Sequence, residues 1–178
     1  MTVEYALTRG EAALLLLDEV APIVAAAFAQ SPYNEARSAD SPALARFEKQ
    51  TRQPGFALAT AHVGDEVVGV AFGYTLSPTT GWWKSVLEPV DADTFREDGA
   101  RTFGLFEMAV HPDWQRRGIA TGLHRKLLEG RGEERVVLNC RPDATAAQAA
   151  YALWGYRRVT STIPWDGAPV YDVLLLEI

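Results

Sequence analysis

The chain has 178 residues, 48% of them hydrophobic and 22% charged, which suits one globular domain with a full core. Its net charge of −6 argues against non-specific nucleic-acid binding, which needs a cationic face. A single cysteine, Cys140, excludes an internal disulfide and fits a reducing compartment.

Residues 2–7 read as a short edge strand. Residues 10–29 are apolar and alanine-rich and predict one or two helices, with Pro22 in the first turn of the second piece and Asp18 as its cap. The apolar run 12–17 is cut by Asp18, Glu19 and Pro22, so it reads as neither signal peptide nor membrane span, and the chain as cytoplasmic with no membrane partner. Residues 31–41 form a polar loop with Pro32, Tyr33 and Asn34 as turn signals. Ser41-Pro42 then starts a helix, serine as N-cap and proline at the first helical position, and Gln53-Pro54-Gly55 ends it. Two strands, 56–63 and 66–76, join at Gly64-Asp65 as a hairpin, and Gly73 marks a bulge.

Residues 77–101 are long for a connection, and such loops are often functional. They hold Trp82 and Trp83, then Asp91, Asp93, Glu97 and Asp98, with a short helical turn expected over 93–98. Two readings compete: tryptophans covering a sheet edge beside solvated acids, or a lid that binds an acceptor. The second is favoured, because paired aromatics in a loop are unusual without a role.

Residues 102–110 read as a buried strand, His111-Pro112-Asp113-Trp114 as a turn, and 119–128 as a helix with Ile119, Leu123 and Leu127 on one face. Between turn and helix lies Gln115-Arg116-Arg117-Gly118-Ile119-Ala120. The first amides of a helix have no partner within it and carry partial positive charge. Arg116 and Arg117 add full charge, and Gly118 lets a ligand approach the backbone. Such a site takes a phosphate or diphosphate. No Gly-Lys-Ser/Thr and no Gly-x-Gly-x-x-Gly occurs, so neither nucleotide loop applies. Beyond a polar turn at 130–134, residues 135–140 form a strand. Asp143 caps a helix over 144–154 that Gly155 closes in the left-handed conformation. Strands 156–163 and 170–178 finish the chain, joined by 164–169 with Trp165 and Asp166 exposed. The order predicts one mixed α/β domain spanning 1–178.

The string Gln115-x-x-Gly118-x-Ala120, preceded by Val110-His111-Pro112 and placed between a strand and a helix, resembles the pyrophosphate loop of the GNAT family of N-acetyltransferases, Gln/Arg-x-x-Gly-x-Gly/Ala. The resemblance covers about residues 56–156 and is strongest from 106 to 122. It implies a single-domain GNAT-like α/β fold, a mixed central sheet of about seven strands flanked by helices. It also implies acetyl-CoA as co-substrate and transfer of the acetyl group to a primary amine by direct attack in a ternary complex. Gln115, Arg116, Arg117, Gly118, Ile119, Ala120 and Thr121 would hold the pyrophosphate. Backbone groups of Met108, Ala109 and Val110 would hold the pantetheine, on a strand splayed from its neighbour.

Acetyl transfer from a thioester to an amine sets three demands. The amine, with a pKa of about 10, must lose a proton, and the leaving thiolate, with a thiol pKa of about 8.5, must gain one. The carbonyl oxygen needs a donor as charge develops on it. Tyr151, in Tyr151-x-x-x-Gly155-Tyr156, resembles the family tyrosine that faces the sulfur, and a phenol is protonated at neutral pH. Seven residues upstream many family members carry asparagine, whereas this chain has Ala144, so a coenzyme contact is missing there or comes from Asp143 or Asn139. Glu107 lies in an apolar strand, where burial would raise its pKa. It is a base acting through water or a group that positions the amine.

His62, His111 and His124 share no metal-ligand spacing with each other or Cys140, so no metal is expected. His111 reads as a turn residue and Cys140 as packing. The acceptor pocket, expected from the N-terminal helices, 77–101 and 164–169, takes Tyr33, Trp82, Trp83 and Trp165 as candidate lining. The acids of 77–101 suit a small-molecule primary amine, aminoglycoside-like polyamines included. A protein N-terminus or lysine is the alternative acceptor, and a non-catalytic acyl-CoA sensor the alternative function. The resemblance carries a homodimer as a common assembly.

Overall fold

Hydrophobic alternation and helical periodicity resolve into seven strands and five helices in the computed structural model, which describes residues 2–35 and 42–178. In chain order these are β1 (Glu4–Arg9), a 3-10 stretch (Gly10–Leu16), α1 (Leu17–Phe28), α2 (Pro42–Thr51), β2 (Ala57–Val63), β3 (Glu66–Thr75), a 3-10 turn (Trp82–Ser85) and α3 (Ala92–Phe95). Then come β4 (Thr102–Val110), a 3-10 turn (Pro112–Trp114), α4 (Ile119–Leu128), β5 (Arg135–Cys140), α5 (Thr145–Leu153), β6 (Arg157–Thr162) and β7 (Tyr171–Glu177). The strands make one mixed sheet in the order β1-β2-β3-β4-β5-β7-β6. The parallel pair is β4–β5, over Thr102–Gly104 against Arg135–Val137. This is the expected seven-stranded α/β fold. Among the described residues no helix is long and apolar enough to cross a membrane.

The chain divides into two compact units. The first runs to Tyr74 and resumes over Leu105–Arg131. Its core gathers Val20, Ile23 and Val24 of α1, Phe47 of α2, and Phe56, Leu58, Val70 and Phe72. Leu58 lies opposite Phe72 in the β2–β3 ladder, so both point to one face. Phe47 meets Phe56 and Phe72 edge-on, with centroids 5.9 and 5.1 Å apart, the arrangement favoured by ring quadrupoles. Gly64, at φ +59°, makes the two-residue hairpin turn possible. The bulge falls at Ala61/His62 rather than at Gly73. Ile119, Leu123 and Leu127 bury the predicted face of α4. A methyl group on Gly69 of β3 would lie 3.0 Å from Leu123 Cδ1 and 3.2 Å from Ile119 Cγ2, so the missing side chain lets α4 approach the strand.

Two N-terminal expectations change. Residues 10–16 are 3-10, and Pro22 sits inside α1, not in its first turn. Asp18 lies in that first turn, beyond the capping position held by Leu16, and acts there through the helix dipole. The expected Ser41 cap lies outside the described residues.

The second unit comprises Thr75–Gly104 and Gly132–Ile178. β5 pairs with β7 along its whole length, and β7 with β6. Gln148 ties α5 to β7 through Asp172 Oδ2 at 3.0 Å. Gly155 closes the helix at φ +93°, as expected. Its start differs: Asp143 is engaged by Arg141 at 2.9 and 2.6 Å, and Ala144 stands at the cap without a side-chain bond.

Residues 77–101 are fastened to this unit. Val86 bridges Thr162, and Leu87 N–H donates to Ser161 O at 2.8 Å. Glu88 accepts from Arg158, from the Ser161 N–H and from Thr160, and these bonds hold its carboxyl down at about 2. The acids are spent as well. Asp91 caps α3 through the Thr94 N–H, and Asp98 takes the Ala100 N–H. Asp93 pairs with Arg101 at 2.7 Å, and Arg101 also binds Glu134 at 2.8 Å. Glu97 pairs with Arg135 at 3.0 Å. The segment is an ion-paired strap packed through Trp83, and Asp91, Asp93 and Asp98 keep exposed side chains, as solvated acids would.

Candidate active site

In the first unit the anion cradle is built from the turn after β4. His111 caps that turn, its Nδ1 accepting the Asp113 N–H at 3.3 Å, which makes it the turn residue expected. Gln115 folds back so that its Nε2 donates to Val110 O at 3.1 Å. Arg116 at φ +58° and Gly118 at φ +79° are both left-handed, on either side of Arg117. Changing backbone hand in this way turns successive N–H groups toward one point and makes a concave anion site. Arg116 bears a steric penalty that glycine avoids, and such strain concentrates at ligand-binding turns. Gly118 is the N-cap of α4 and offers no side chain to its first amides.

The two arginines differ. Arg117 donates to Asp113 O at 3.0 Å, and its guanidinium lies 4.9 Å from the centre of the Trp114 ring. It is tied to the turn. Arg116 is exposed and makes no side-chain hydrogen bond or ion pair among the described residues. Ile119 is buried, and Ala120 and Thr121 are half-buried behind the loop.

On β4, Ala109 and Val110 are buried, whereas Phe106, Glu107 and Met108 are half-buried. Glu107 is therefore less enclosed than its apolar neighbours led one to expect. Phe106 stacks on Tyr74, centroids 4.2 Å apart and planes 12° from parallel. Alternation along the strand sends Glu107 to the opposite face. Tyr33 packs on Phe28 at 4.7 Å, just beyond α1.

In the second unit Tyr151 is half-buried on α5, its ring edge-on to Trp154 and Tyr156 at 5.5 and 5.3 Å. The three rings fix where the phenol points. Burial pushes the Tyr156 hydroxyl well above the usual phenol range, so it stays neutral. Cys140 is buried on β5, and desolvation, with help from Asp172 and Asp143, pushes its thiol up to about 12. A thiol held in that form is a packing group, not a nucleophile.

The tryptophans separate. Trp83 is buried, its indole N–H donates to Glu97 Oε1 at 2.9 Å, and the Arg135 guanidinium lies 5.6 Å from its ring centre. It anchors the strap and offers no surface to an acceptor, contrary to the expectation. Trp82 is half-buried beside it. Trp165 is 53% exposed and touches Tyr171, ring centroids 5.8 Å apart. Among the described residues no three His, Cys, Asp or Glu side chains come together as a metal site.

Sequence reasoning gave Asn139 only a stand-in part. Its Oδ1 is buried and takes no hydrogen bond from the described residues. The signal was a carboxamide in the otherwise apolar run Val-Val-Leu-Asn-Cys.

A family model, Acetyltransferase (GNAT) family, matches residues 23–156. A search of curated proteins returned no match. Among solved structures, the PaiA N-acetyltransferase from Thermoplasma acidophilum, in complex with coenzyme A, is similar over 100% of both chains at 9% identity, TM-score 0.66. The ribosomal-protein-S18-alanine N-acetyltransferase from Escherichia coli is similar over 98% of this chain and 94% of its own, at 19% identity and TM-score 0.62. An IAA acetyltransferase from Bacillus cereus is similar over 99% of this chain and 100% of its own, at 14% identity and TM-score 0.63. At these identities the likeness speaks to the fold, and the family match to the reaction: GNAT enzymes use acetyl-CoA as co-substrate. With the family model spanning three-quarters of its length, the chain belongs to the GNAT family of acetyltransferases.

Proposed function

We propose that this acetyltransferase carries an acetyl group from acetyl-CoA to a primary amine of a small molecule, in one step within a ternary complex. The observation that carries the reading is the cradle ahead of α4: two left-handed residues, uncapped helix amides and an uncommitted Arg116. These are the charge and geometry a diphosphate requires. Gln115, Arg116, Gly118, Ile119, Ala120 and Thr121 hold it, while Arg117 holds the turn.

When bound, acetyl-CoA supplies an activated acyl carbon and a good leaving group. The chain's own groups do the rest. Backbone N–H groups of Met108–Val110 donate to the carbonyl oxygen as the amine nitrogen forms its bond to carbon. The Tyr151 hydroxyl gives its proton to sulfur as the carbon–sulfur bond breaks, and regains one from solvent. The amine's proton leaves to water, and Glu107, half-buried on β4, orients that water or accepts the proton.

The ion pairs and backbone bonds of the strap weaken the argument for a polycationic acceptor, since its acids already have partners. That change favours a monoamine and keeps a protein N-terminus as the second reading. The test is release of coenzyme A thiol from acetyl-CoA against alkyl monoamines, a polyamine, arylalkylamines and peptides with a free α-amino group. Turnover of a small monoamine supports the proposal. Turnover of peptides alone moves the acceptor class to protein. Acetyl-CoA binding without turnover of any amine overturns the enzyme reading in favour of a sensor.

A further inference from the structure

Asn139 is a polar group that the fold leaves unmatched. On β5, alternation puts Arg135, Val137 and Asn139 on one face and Val136, Leu138 and Cys140 on the other. Asn139 lies opposite Val173 of β7, and Val173 lies opposite Thr160 of β6. Val173 has no polar side chain to offer. The Thr160 hydroxyl is taken by Glu88. Asn139 Oδ1 is buried with no donor, and the side chain forms no other hydrogen bond among the described residues. Turning the amide over would bury an NH2 in place of the oxygen. A leucine of similar shape would fill the space without burying an unmatched polar group. Unmatched buried polar groups in native folds call for a reason, and a ligand is one.

The direction of the side chain narrows that ligand. In a strand it stands off the sheet, whereas the backbone groups proposed to hold pantetheine lie along the strand edge. The enclosed carboxamide oxygen, still without a donor, thus suits a group that enters over the face and not along the edge. Its oxygen needs an N–H donor, and the acceptor amine has one. We infer that Asn139 binds the acceptor through its amine N–H, an inference that rests on the acetyl-transfer reading above. Asparagine has no proton to exchange near neutral pH, so it aims the nitrogen lone pair rather than creating it.

The test uses the full chain, acetyl-CoA and the amine that the panel finds most active. Asn139→Leu raises the KM for that amine about tenfold, the worth of one hydrogen bond to an amine. The Kd of acetyl-CoA, read by calorimetry, stays within about twofold. Its thermal midpoint equals or exceeds that of the wild type, because an unmatched polar group has been removed. Asn139→Asp keeps an acceptor oxygen in place and holds the amine KM within about threefold of wild type. Asn139→Ala, which adds no bulk, repeats the KM split if the leucine variant does not fold. An unchanged amine KM in a wild type that turns amines over sinks this inference alone. A fall in thermal midpoint with equal weakening toward both substrates makes Asn139 structural and also sinks it. A wild type that turns over no amine sinks the transfer reading first, and this inference with it.

Discussion

Replacing Arg135 by methionine tests whether residues 77–101 are a packed strap or an open acceptor loop. The Arg135 and Glu97 side chains are 5% and 2% exposed, and their contact is 3.0 Å. Arg135 also donates to Thr102 Oγ1 at 2.8 Å and to the carbonyls of Thr94 and Arg96 at 2.8 and 3.2 Å. Methionine fills much of the volume but leaves the Glu97 carboxylate enclosed, with the Trp83 N–H as its remaining donor. Removing one partner of a buried pair destabilises by about 3–5 kcal/mol. For a chain of this length that lowers the thermal midpoint by roughly 6–20 °C. Urea unfolding gives the free energy, with the midpoint shifting at constant slope. Adding Glu97→Leu removes the stranded charge and restores most of the loss, so the two changes are strongly non-additive. A loss under about 1 kcal/mol, as for an exposed pair, would refute the reasoning. So would additivity in the double variant.

Three further outcomes follow from the site. Arg116→Ala weakens acetyl-CoA binding about tenfold, one lost charge-assisted bond, whereas Arg117→Ala, whose guanidinium is committed to Asp113 O and Trp114, changes it less than Arg116→Ala does; calorimetry with the order reversed would exchange their roles. Tyr151→Phe lowers turnover at least about tenfold while leaving the Kd of acetyl-CoA within about twofold, and an unchanged rate removes the phenol from the mechanism. His124 is buried in α4, and desolvation, then Arg125, holds its pKa at about 4. The unfolded chain, with a histidine pKa of about 6.5, binds this proton first. Stability from the neutral ring is therefore complete above about pH 6.5 and declines as pH falls toward 4. Urea midpoints at pH 7 and 4.5 should converge more in His124→Leu than in wild type, and identical pH dependence in both would contradict the assignment.

The cradle was legible in the sequence because its parts are local. A strand, a turn and a glycine before Ile119 lie within twenty residues, and each follows from short-range sterics. The hairpin at Gly64-Asp65 and the close at Gly155 were legible for the same reason. What failed depended on which side-chain partner wins, near or far along the chain. Asp143 reads as a cap, yet Arg141 competes for its carboxylate with two bonds. The acids of residues 91–98 look available until Arg101, Arg135 and their own backbone claim them. Trp83 looks like loop surface until the Glu97 carboxylate captures its N–H. Periodicity does not distinguish a 3-10 stretch from an α-helix over seven residues, so 10–16 reads as part of a helix. The asparagine in β5 was visible, but its lack of a partner is a property of the fold.

The most direct test of the diphosphate cradle is the affinity of the Gly118→Val variant for acetyl-CoA. A Cβ at Gly118 meets nothing within 4 Å, so valine disturbs no packing there, but it resists φ +79° and fills the space over the α4 amides. Calorimetry should find binding weakened by at least about a hundredfold, with the circular-dichroism spectrum and cooperative unfolding retained. Wild-type affinity in a folded Gly118→Val chain would place the diphosphate elsewhere and contradict the account.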